Sequence, residues 1–157
     1  LNFDAENKNY KNFIATASGK TNDQIIEFLK EDLLKFKEEN FNSIIFSGIG
    51  YKSYTPSLEE TYVLEIAYFL KDNGFKVYFY DEYISEKIPG LNRIEVEKIN
   101  DYANLIFIPY VDQKFNSLNF NGVVYDIWDQ LKGNNVVNKF SDFKKKDSKN
   151  NILKFRK

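Results

Sequence analysis

Two short apolar runs on either side of a helix-like segment constrain the fold of this chain most. The runs, Ser43–Ser47 and Phe75–Tyr80, are bounded by turn residues and are mostly apolar. Such runs are typical of strands buried on both faces, as in a parallel sheet. Between them, residues 58–70 carry apolar side chains at helical spacing and end before Asn73 and Gly74. Strand, helix and strand within about forty residues predict a right-handed βαβ unit.

Weaker patterns add further elements on both sides of this unit. The segment 21–36 opens with a capping-box sequence and places apolar residues at helical spacing, which predicts a helix. Two more apolar runs, Leu105–Pro109 and Val123–Asp126, are typical of buried strands, and residues 95–102 are typical of a short helix. We therefore predict the fold class α/β, a small Rossmann-like three-layer sandwich with a mostly parallel, doubly wound sheet.

Charge and polarity divide the 157 residues into three parts. We expect residues 1–20, which are polar and rich in Asn and Lys, to be a linker or lead-in, and residues 21–133 to form the Rossmann-like domain. From Lys132 onward, nine basic residues stand against two acidic ones, a balance of +7 that leaves −8 for residues 1–131. We expect residues 134–157 to be a basic tail, flexible or peripheral to the acidic domain.

The absence of Cys and His excludes several kinds of catalytic and metal site. Without Cys or His, the chain has no disulfide, no thiolate metal site and no Ser-His-Asp or Cys-His nucleophile, and we predict no metal. Chemistry by this chain alone would have to use carboxylates, Lys, Tyr, hydroxyls or a bound cofactor. No apolar run approaches the roughly 20 residues of a membrane span, and the N-terminus lacks the features of a signal peptide. We therefore expect a cytoplasmic protein. Because the chain begins at Leu1 without Met, we also expect it to be a piece of a longer protein.

The two glycines after the first strand mark the most informative position for a ligand. Parallel sheets bind ligands beyond the carboxyl ends of their strands, and Gly48 and Gly50 would let the backbone turn tightly near a bound molecule. Lys52 could neutralise a phosphate there. A dinucleotide fingerprint would need a third glycine where Ser53 stands, and P-loop spacing is absent. Ordinary turn geometry is therefore an equally good explanation.

Acidic, aromatic and basic residues follow the other strands. Asp81 ends the second strand, where dinucleotide-binding folds hold a ribose, but capping the next turn is the stronger explanation. Asp112 and Asp126 are likewise more often loop caps than catalysts. Trp128, the single tryptophan, could stack on a base or sugar, although covering the sheet edge is its commoner role. The cluster Lys144–Lys146 could contact nucleic acid or acidic lipid, but a solvated lysine surface is the commoner explanation.

Several of these segments, in their order and spacing, resemble the C-terminal, UDP-binding domain of the UDP-glucose/GDP-mannose dehydrogenase family. The first strand and the glycines continue into Tyr51-Lys52, and the second strand ends in Tyr80-Asp81. They are similar to the family's Gly-Leu-[Ala/Thr]-[Phe/Tyr]-Lys and Tyr-Asp-Pro segments. Ala103–Ile108 is similar to the family's third strand, and Val123–Asp126 to its Val-x-Asp strand. The resemblance covers about residues 41–131.

The resemblance implies a definite role. Members of this family oxidise the C6 hydroxyl of a nucleotide sugar to a carboxylate in two NAD-dependent steps. NAD binds an N-terminal Rossmann domain, and the catalytic Cys belongs to a central region that makes the dimer. By position, the implied substrate-binding residues are Gly48, Gly50, Tyr51, Lys52, Asp126 and Trp128. The resemblance implies no catalytic residue and no cofactor on this domain alone, and NAD in the parent enzyme. The implied partners are a UDP-sugar, the rest of the parent chain and a second copy in a homodimer.

Two family arginines have no counterpart in this sequence. Leu58 stands where the family has the Arg of Asp-x-Arg-Glu-Ser, and Trp128 stands where many members have the Arg of Asp-Gly-Arg. A guanidinium binds phosphate through two parallel hydrogen bonds, which Leu and Trp cannot replace. Each lost charged contact costs roughly 2–5 kcal/mol of binding free energy, so we expect weaker UDP-sugar binding than in the family.

The leading hypothesis is therefore a UDP-sugar-binding domain of an NAD-dependent nucleotide-sugar 6-dehydrogenase, an oxidoreductase of polysaccharide biosynthesis. The domain would not be catalytic alone. The alternative is a degenerate Rossmann-like interaction or regulatory module, favoured by the lost arginines and by the acidic domain with its basic tail. A generic nucleotide-binding module of another enzyme class also stays open. We expect the chain neither to bind nucleic acid nor to span a membrane.

Overall fold

A six-stranded, all-parallel sheet forms the centre of the computed structural model, which describes residues 21–50, 58, 61–110 and 120–150. The strands are β1 (Ser43–Ser47), β2 (Lys76–Tyr80), β3 (Asn92–Arg93), β4 (Leu105–Ile108), β5 (Val123–Asp126) and β6 (Val136–Val137). They lie in the order β3-β2-β1-β4-β5-β6, and every neighbouring pair is parallel. Doubly wound nucleotide-binding folds have this strand order, so the predicted α/β, Rossmann-like architecture is confirmed.

Helices cover both faces of the sheet. They are α1 (residues 21–34) with a 3₁₀ turn at Lys35–Glu39, α2 (Tyr62–Asp72), α3 (Ile99–Tyr102) after a 3₁₀ turn at Val96–Lys98, and α4 (Phe140–Asn150). Helix α2 begins later than its apolar pattern predicts, because Thr61 is the N-cap and its Oγ1 accepts a hydrogen bond from the Val63 N–H.

Alternate residues of the central strands divide the apolar core between the two faces. In β1, Ile44 and Phe46 pack with the layer of α1, α2 and α4, whereas Ile45 packs with the layer of α3. All three side chains are fully buried. The strands are therefore apolar at successive positions instead of alternating, as expected for a sheet covered on both sides.

Part of the segment expected to be a flexible or peripheral tail belongs to the domain, which extends beyond the predicted boundary at residue 133. Strand β6 pairs with β5, and Phe143 of α4 is fully buried against the rings of Phe36 and Phe41. The sequence signal is weak because a two-residue strand shows no alternation, and α4 is mostly charged apart from Phe140 and Phe143. The expectations for residues 1–20 and 151–157 lie outside the described residues.

A buried carboxylate connects α4 to the rest of the domain. Asp32 of α1 accepts hydrogen bonds from the Tyr125 hydroxyl (2.8 Å) and from the Phe140 N–H (2.7 Å), and it pairs with Lys35. The bond to Phe140 satisfies one of the N–H groups that lack a partner within the first turn of α4. Burial, and next the charge of Asp32, raise the pKa of Tyr125, so its hydroxyl stays protonated and remains a donor.

The four predicted strands are confirmed as β1, β2, β4 and β5, whereas β3 and β6 were not predicted. Both residues of β3, Asn92 and Arg93, are polar and exposed, so no apolar pattern indicates a strand there. In the part of the chain that the structure describes, no helix is both long and apolar enough to cross a bilayer.

Candidate functional site

The strand order reverses between β1 and β4, and such a reversal opens a crevice beyond the carboxyl ends of the two strands. Gly48–Gly50, called the glycine turn below, follows β1, and Pro109-Tyr110 follows β4. Asp81 follows β2, and Ile127-Trp128 follows β5. The described strand-end residues thus meet at one edge of the sheet, the carboxyl edge, which is the candidate site.

The glycine turn is held by an internal carboxylate. Oδ2 of Asp81 accepts hydrogen bonds from the backbone N–H groups of Ile49 (3.0 Å) and Gly50 (3.3 Å). Asp81 is 6% exposed, so these charge-assisted bonds are strong in a poorly solvated setting. In a phosphate-binding turn, such amides face the oxygens of the ligand. Here a side chain of the domain occupies them.

The second oxygen of the same carboxylate is also occupied. Oδ1 of Asp81 accepts hydrogen bonds from the N–H groups of Tyr83 (2.9 Å) and Ile84 (3.1 Å), which caps the turn after β2. Arg93 of β3 donates to the Asp81 carbonyl oxygen (2.8 Å). With four amide donors on one carboxylate, Asp81 has little capacity left for a ribose hydroxyl. Its geometry is that of a turn cap.

The ring of Tyr110 lies against Gly48. Gly48 has a φ of +102°, and a Cβ at this position would collide with the Tyr110 ring, so the close approach requires glycine. The Tyr110 hydroxyl donates to Oδ2 of Asp81 over 3.4 Å. Burial, and next the charge of Asp81, raise the pKa of Tyr110, which keeps this phenol protonated.

Thr61 connects the glycine turn to helix α2. Its Oγ1 donates to the carbonyl oxygens of Ile49 (3.2 Å) and Gly50 (3.1 Å) and accepts from the N–H of Val63 (3.2 Å). One buried hydroxyl thus caps the helix and fixes the turn. The N-terminus of α2, with its partial positive charge, lies beside the glycine turn.

Asp126 is fully buried and caps the loop after β5. Its Oδ1 accepts a hydrogen bond from the N–H of Trp128 (3.0 Å), and its Oδ2 accepts from Gln130 and Leu131 (both 2.8 Å). Asn138 donates to the Asp126 carbonyl oxygen (2.9 Å). The carboxylate therefore shapes the loop that carries Trp128, as the loop-cap explanation predicts.

Trp128 is fixed in place, yet most of its surface is exposed. Its Nε1 donates to the Pro109 carbonyl oxygen (2.6 Å), which also accepts from the Tyr62 hydroxyl (3.0 Å). The residue is 57% exposed, so covering the sheet edge does not account for it. Burial raises the pKa of Tyr62 to about 12, so its hydroxyl remains a donor. The carbonyl of Pro109 thus joins the start of α2 to the loop after β5.

The described residues do not fit a dinucleotide cofactor. Folds with this strand order bind the pyrophosphate on the amides of the glycine turn and a ribose on the acid that ends β2. Here the amides of Ile49 and Gly50 donate to Asp81, whose oxygens are already occupied. Within the described ranges, no cluster of three or more acidic side chains lies close enough to hold a metal ion.

Several predicted residues lie outside the described part of the chain, among them Tyr51, Lys52 and Asp112. Leu58 is partly buried and packs against the core. The cluster Lys144–Lys146 makes contacts within the domain: Lys144 pairs with Glu39, Lys145 with Asp142, and Lys146 donates to the Val136 carbonyl oxygen.

Two residues of the site, Thr61 and Tyr62, were not predicted from the sequence, and Tyr110 was predicted only as part of the strand-end segment Pro109–Asp112. Thr61 carries a weak signal, since a hydroxyl directly before an apolar helical pattern marks an N-cap. Tyr110 directly follows a predicted strand, a position that points to the carboxyl edge. Nothing in the sequence of Tyr62 indicates its bond to Pro109, because that contact joins segments 47 residues apart.

The sequence matches no protein-family model, and no curated protein matches it. The fold matches solved structures. A UDP-glucose dehydrogenase from the hyperthermophilic archaeon Pyrobaculum islandicum has a TM-score of 0.55 at 20% identity, covering 64% of this chain and 26% of that chain. A GDP-mannose dehydrogenase from Pseudomonas aeruginosa, solved as a ternary complex, has a TM-score of 0.52 at 16% identity, covering 68% and 30%. The UDP-N-acetyl-mannosamine dehydrogenase of S. aureus has a TM-score of 0.52 at 19% identity, covering 70% and 27%.

The three matched proteins are all nucleotide-sugar dehydrogenases. This chain corresponds to only 26–30% of the length of each. At 16–20% identity, the likeness shows a shared fold. The chain is thus a Rossmann-like domain similar in fold to one part of nucleotide-sugar dehydrogenases.

Proposed function

We propose that this chain is the UDP-sugar-binding domain of an NAD-dependent nucleotide-sugar 6-dehydrogenase and is not catalytic alone. The observation that carries the proposal is the carboxyl edge, where the glycine turn, the N-terminus of α2 and the exposed Trp128 are joined through Thr61 and Pro109. The fold likeness to three nucleotide-sugar dehydrogenases supports it, as do the ordered motifs between residues 41 and 131.

In this proposal, the residues that bind the ligand directly follow the glycine turn, whose backbone is held by hydrogen bonds. Asp81 fixes the amides of the glycine turn, and Thr61 fixes its carbonyls. Tyr51 and Lys52, which the family resemblance assigns to the ligand, follow directly in sequence. Preorganising the backbone before them lowers the entropy lost on binding. Because Asp81 already occupies the turn amides, we expect the Lys52 ammonium to bind the diphosphate in their place.

Isothermal titration calorimetry with UDP-glucose tests the proposal. We expect binding in the micromolar to millimolar range, weakened at least about tenfold by Lys52→Ala, because the lysine contributes a charged hydrogen bond to phosphate. Lys76→Ala is the matched control, since this exposed lysine begins β2 at the opposite, amino end of the sheet. The proposal would be contradicted if neither UDP-glucose nor GDP-mannose gave a detectable binding heat at millimolar concentration. It would also be contradicted if Lys52→Ala and Lys76→Ala changed the affinity equally.

A second candidate function is a degenerate Rossmann-like interaction or regulatory module. Two observations favour it: the Asp81 carboxylate occupies the amides of the glycine turn, and Leu58 and Trp128 stand at the positions of two family arginines. Sedimentation velocity separates the two candidates. Concentration-dependent self-association together with silent calorimetry supports the module, whereas a monomer that binds UDP-glucose supports the first proposal.

A further inference from the structure

We propose that the exposed face of Trp128 is a stacking platform for the planar base of the nucleotide, so that this part of the site selects for an aromatic ring and not for a particular base. The inference rests on the proposed function, since it names the part of the ligand that the carboxyl edge recognises. Three observations carry it: the exposure of the indole, its fixed orientation, and the occupation of the neighbouring carboxylates.

The indole is held before any ligand arrives. The indole Nε1–H donates to the Pro109 carbonyl oxygen (2.6 Å), and the backbone N–H of Trp128 donates to Oδ1 of Asp126 (3.0 Å). These bonds hold the ring and its backbone from two sides. With 57% of the residue exposed, a ring face is open for contact at little entropic loss, because the side chain is already ordered.

The two buried carboxylates of the carboxyl edge are already occupied, which favours a base over a sugar. Sugar hydroxyls are bound largely by carboxylates and amides with free hydrogen-bonding capacity. At the carboxyl edge, Asp81 accepts from four backbone amides and Asp126 from three. Stacking on an indole needs no such group, and every base presents a π-face. The exposed indole therefore offers a base a contact that the two occupied carboxylates cannot offer a sugar.

Because Trp128 is the single tryptophan of the chain, its intrinsic fluorescence reports this contact directly. We expect uridine, UDP and UDP-glucose to change the emission to a common end point. GDP-mannose should change it as well, because stacking tolerates any base. Methyl glucoside and pyrophosphate should leave it unchanged. A response to the glucoside without one to uridine would overturn the inference in favour of a sugar platform.

Amide-shift titrations of variants with UDP-glucose measure the contribution to affinity. Stacking of one base contributes about 1–3 kcal/mol, so Trp128→Ala should weaken binding about 5- to 140-fold. Trp128→Phe keeps a ring but loses the hydrogen bond to the Pro109 carbonyl, so it should recover part of the loss. Tyr102→Ala is the matched control: it removes another exposed aromatic ring, at the end of α3 near the amino end of β4, and should leave the affinity unchanged.

The outcomes separate this inference from the proposed function. If UDP-glucose binds wild type and Trp128→Ala equally well, the platform is refuted and the proposed function stands. If uridine quenches the emission but UDP-glucose binds no more tightly than uridine, the platform stands and the proposed function fails. If no nucleotide changes the emission or the amide shifts at millimolar concentration, both are refuted.

Discussion

Replacing Asp81 by Asn tests whether an internal carboxylate holds the glycine turn. In wild type, Oδ1 and Oδ2 each accept two backbone N–H groups, from Tyr83 and Ile84 and from Ile49 and Gly50. An Asn side chain can serve one pair with its carbonyl oxygen, but its NH₂ group then faces the other pair, donor against donor. The substitution therefore removes two charge-assisted hydrogen bonds at a site only 6% exposed.

Each hydrogen bond to a charged group contributes about 1.5–3 kcal/mol, so we expect Asp81→Asn to lower the free energy of unfolding by about 3–6 kcal/mol. This is a large part of the roughly 5–15 kcal/mol typical of a domain. Urea unfolding at pH 7, followed by circular dichroism, measures the change. Asp72→Asn is the control, because Asp72 is exposed at the end of α2 and its change should stay within about 0.5 kcal/mol. A loss below about 1 kcal/mol for Asp81→Asn would show that the carboxylate does not hold the two turns.

Three further predictions test other contacts of the fold and the site. Asp32→Ala should lower the free energy of unfolding by about 2–4 kcal/mol and speed hydrogen exchange in residues 140–149, because it removes a helix cap and the acceptor of a buried hydroxyl. Gly48→Ala should destabilise more than Gly74→Ala: both have positive φ, but only the first meets an aromatic ring. Because the pKa of Tyr62 rises from 10.0 to about 12, its contribution to stability should be complete below pH 10 and fall towards pH 12.

Each of these three predictions has a result that would contradict it. Glu31→Ala, on the exposed neighbour of Asp32, should leave hydrogen exchange in α4 unchanged, and equal exchange rates in both variants would contradict the capping role. Equal destabilisation by Gly48→Ala and Gly74→Ala would contradict the close approach of the ring. The stability advantage of wild type over Tyr62→Phe should shrink between pH 10 and pH 12 in denaturation curves, and a constant difference would contradict the raised pKa.

The central part of the fold is predictable from the sequence because its signals are strong. The runs around Ile45 and Val77 are short, mostly apolar and bounded by turn residues, which is typical of strands in a parallel sheet. Strand β6 and helix α4 were not predictable in the same way. Strand β6 pairs with β5 through two residues only, and α4 docks on Asp32 and Phe36, more than a hundred residues earlier in the chain. No local sequence pattern indicates such distant contacts.

The site was predictable in position but not in chemistry. The residues after β1, β2 and β5 were identified because parallel strands end at one edge of the sheet. That both oxygens of Asp81 are occupied by amides of two different turns follows only from the tertiary arrangement. The exposure of Trp128 was likewise unexpected, since a lone aromatic residue at a strand end is more often covered. The roles of Tyr51 and Lys52 stay predictions.

A map of backbone amide shifts during a titration with UDP-glucose shows whether the carboxyl edge binds the nucleotide sugar. We predict saturable shifts along the carboxyl edge, at Gly48–Gly50 and Ile127-Trp128, and no shifts at the amino ends of the strands, at Ser43, Lys76 and Leu105. An unchanged spectrum at millimolar UDP-glucose, or shifts confined to the amino ends, would contradict it.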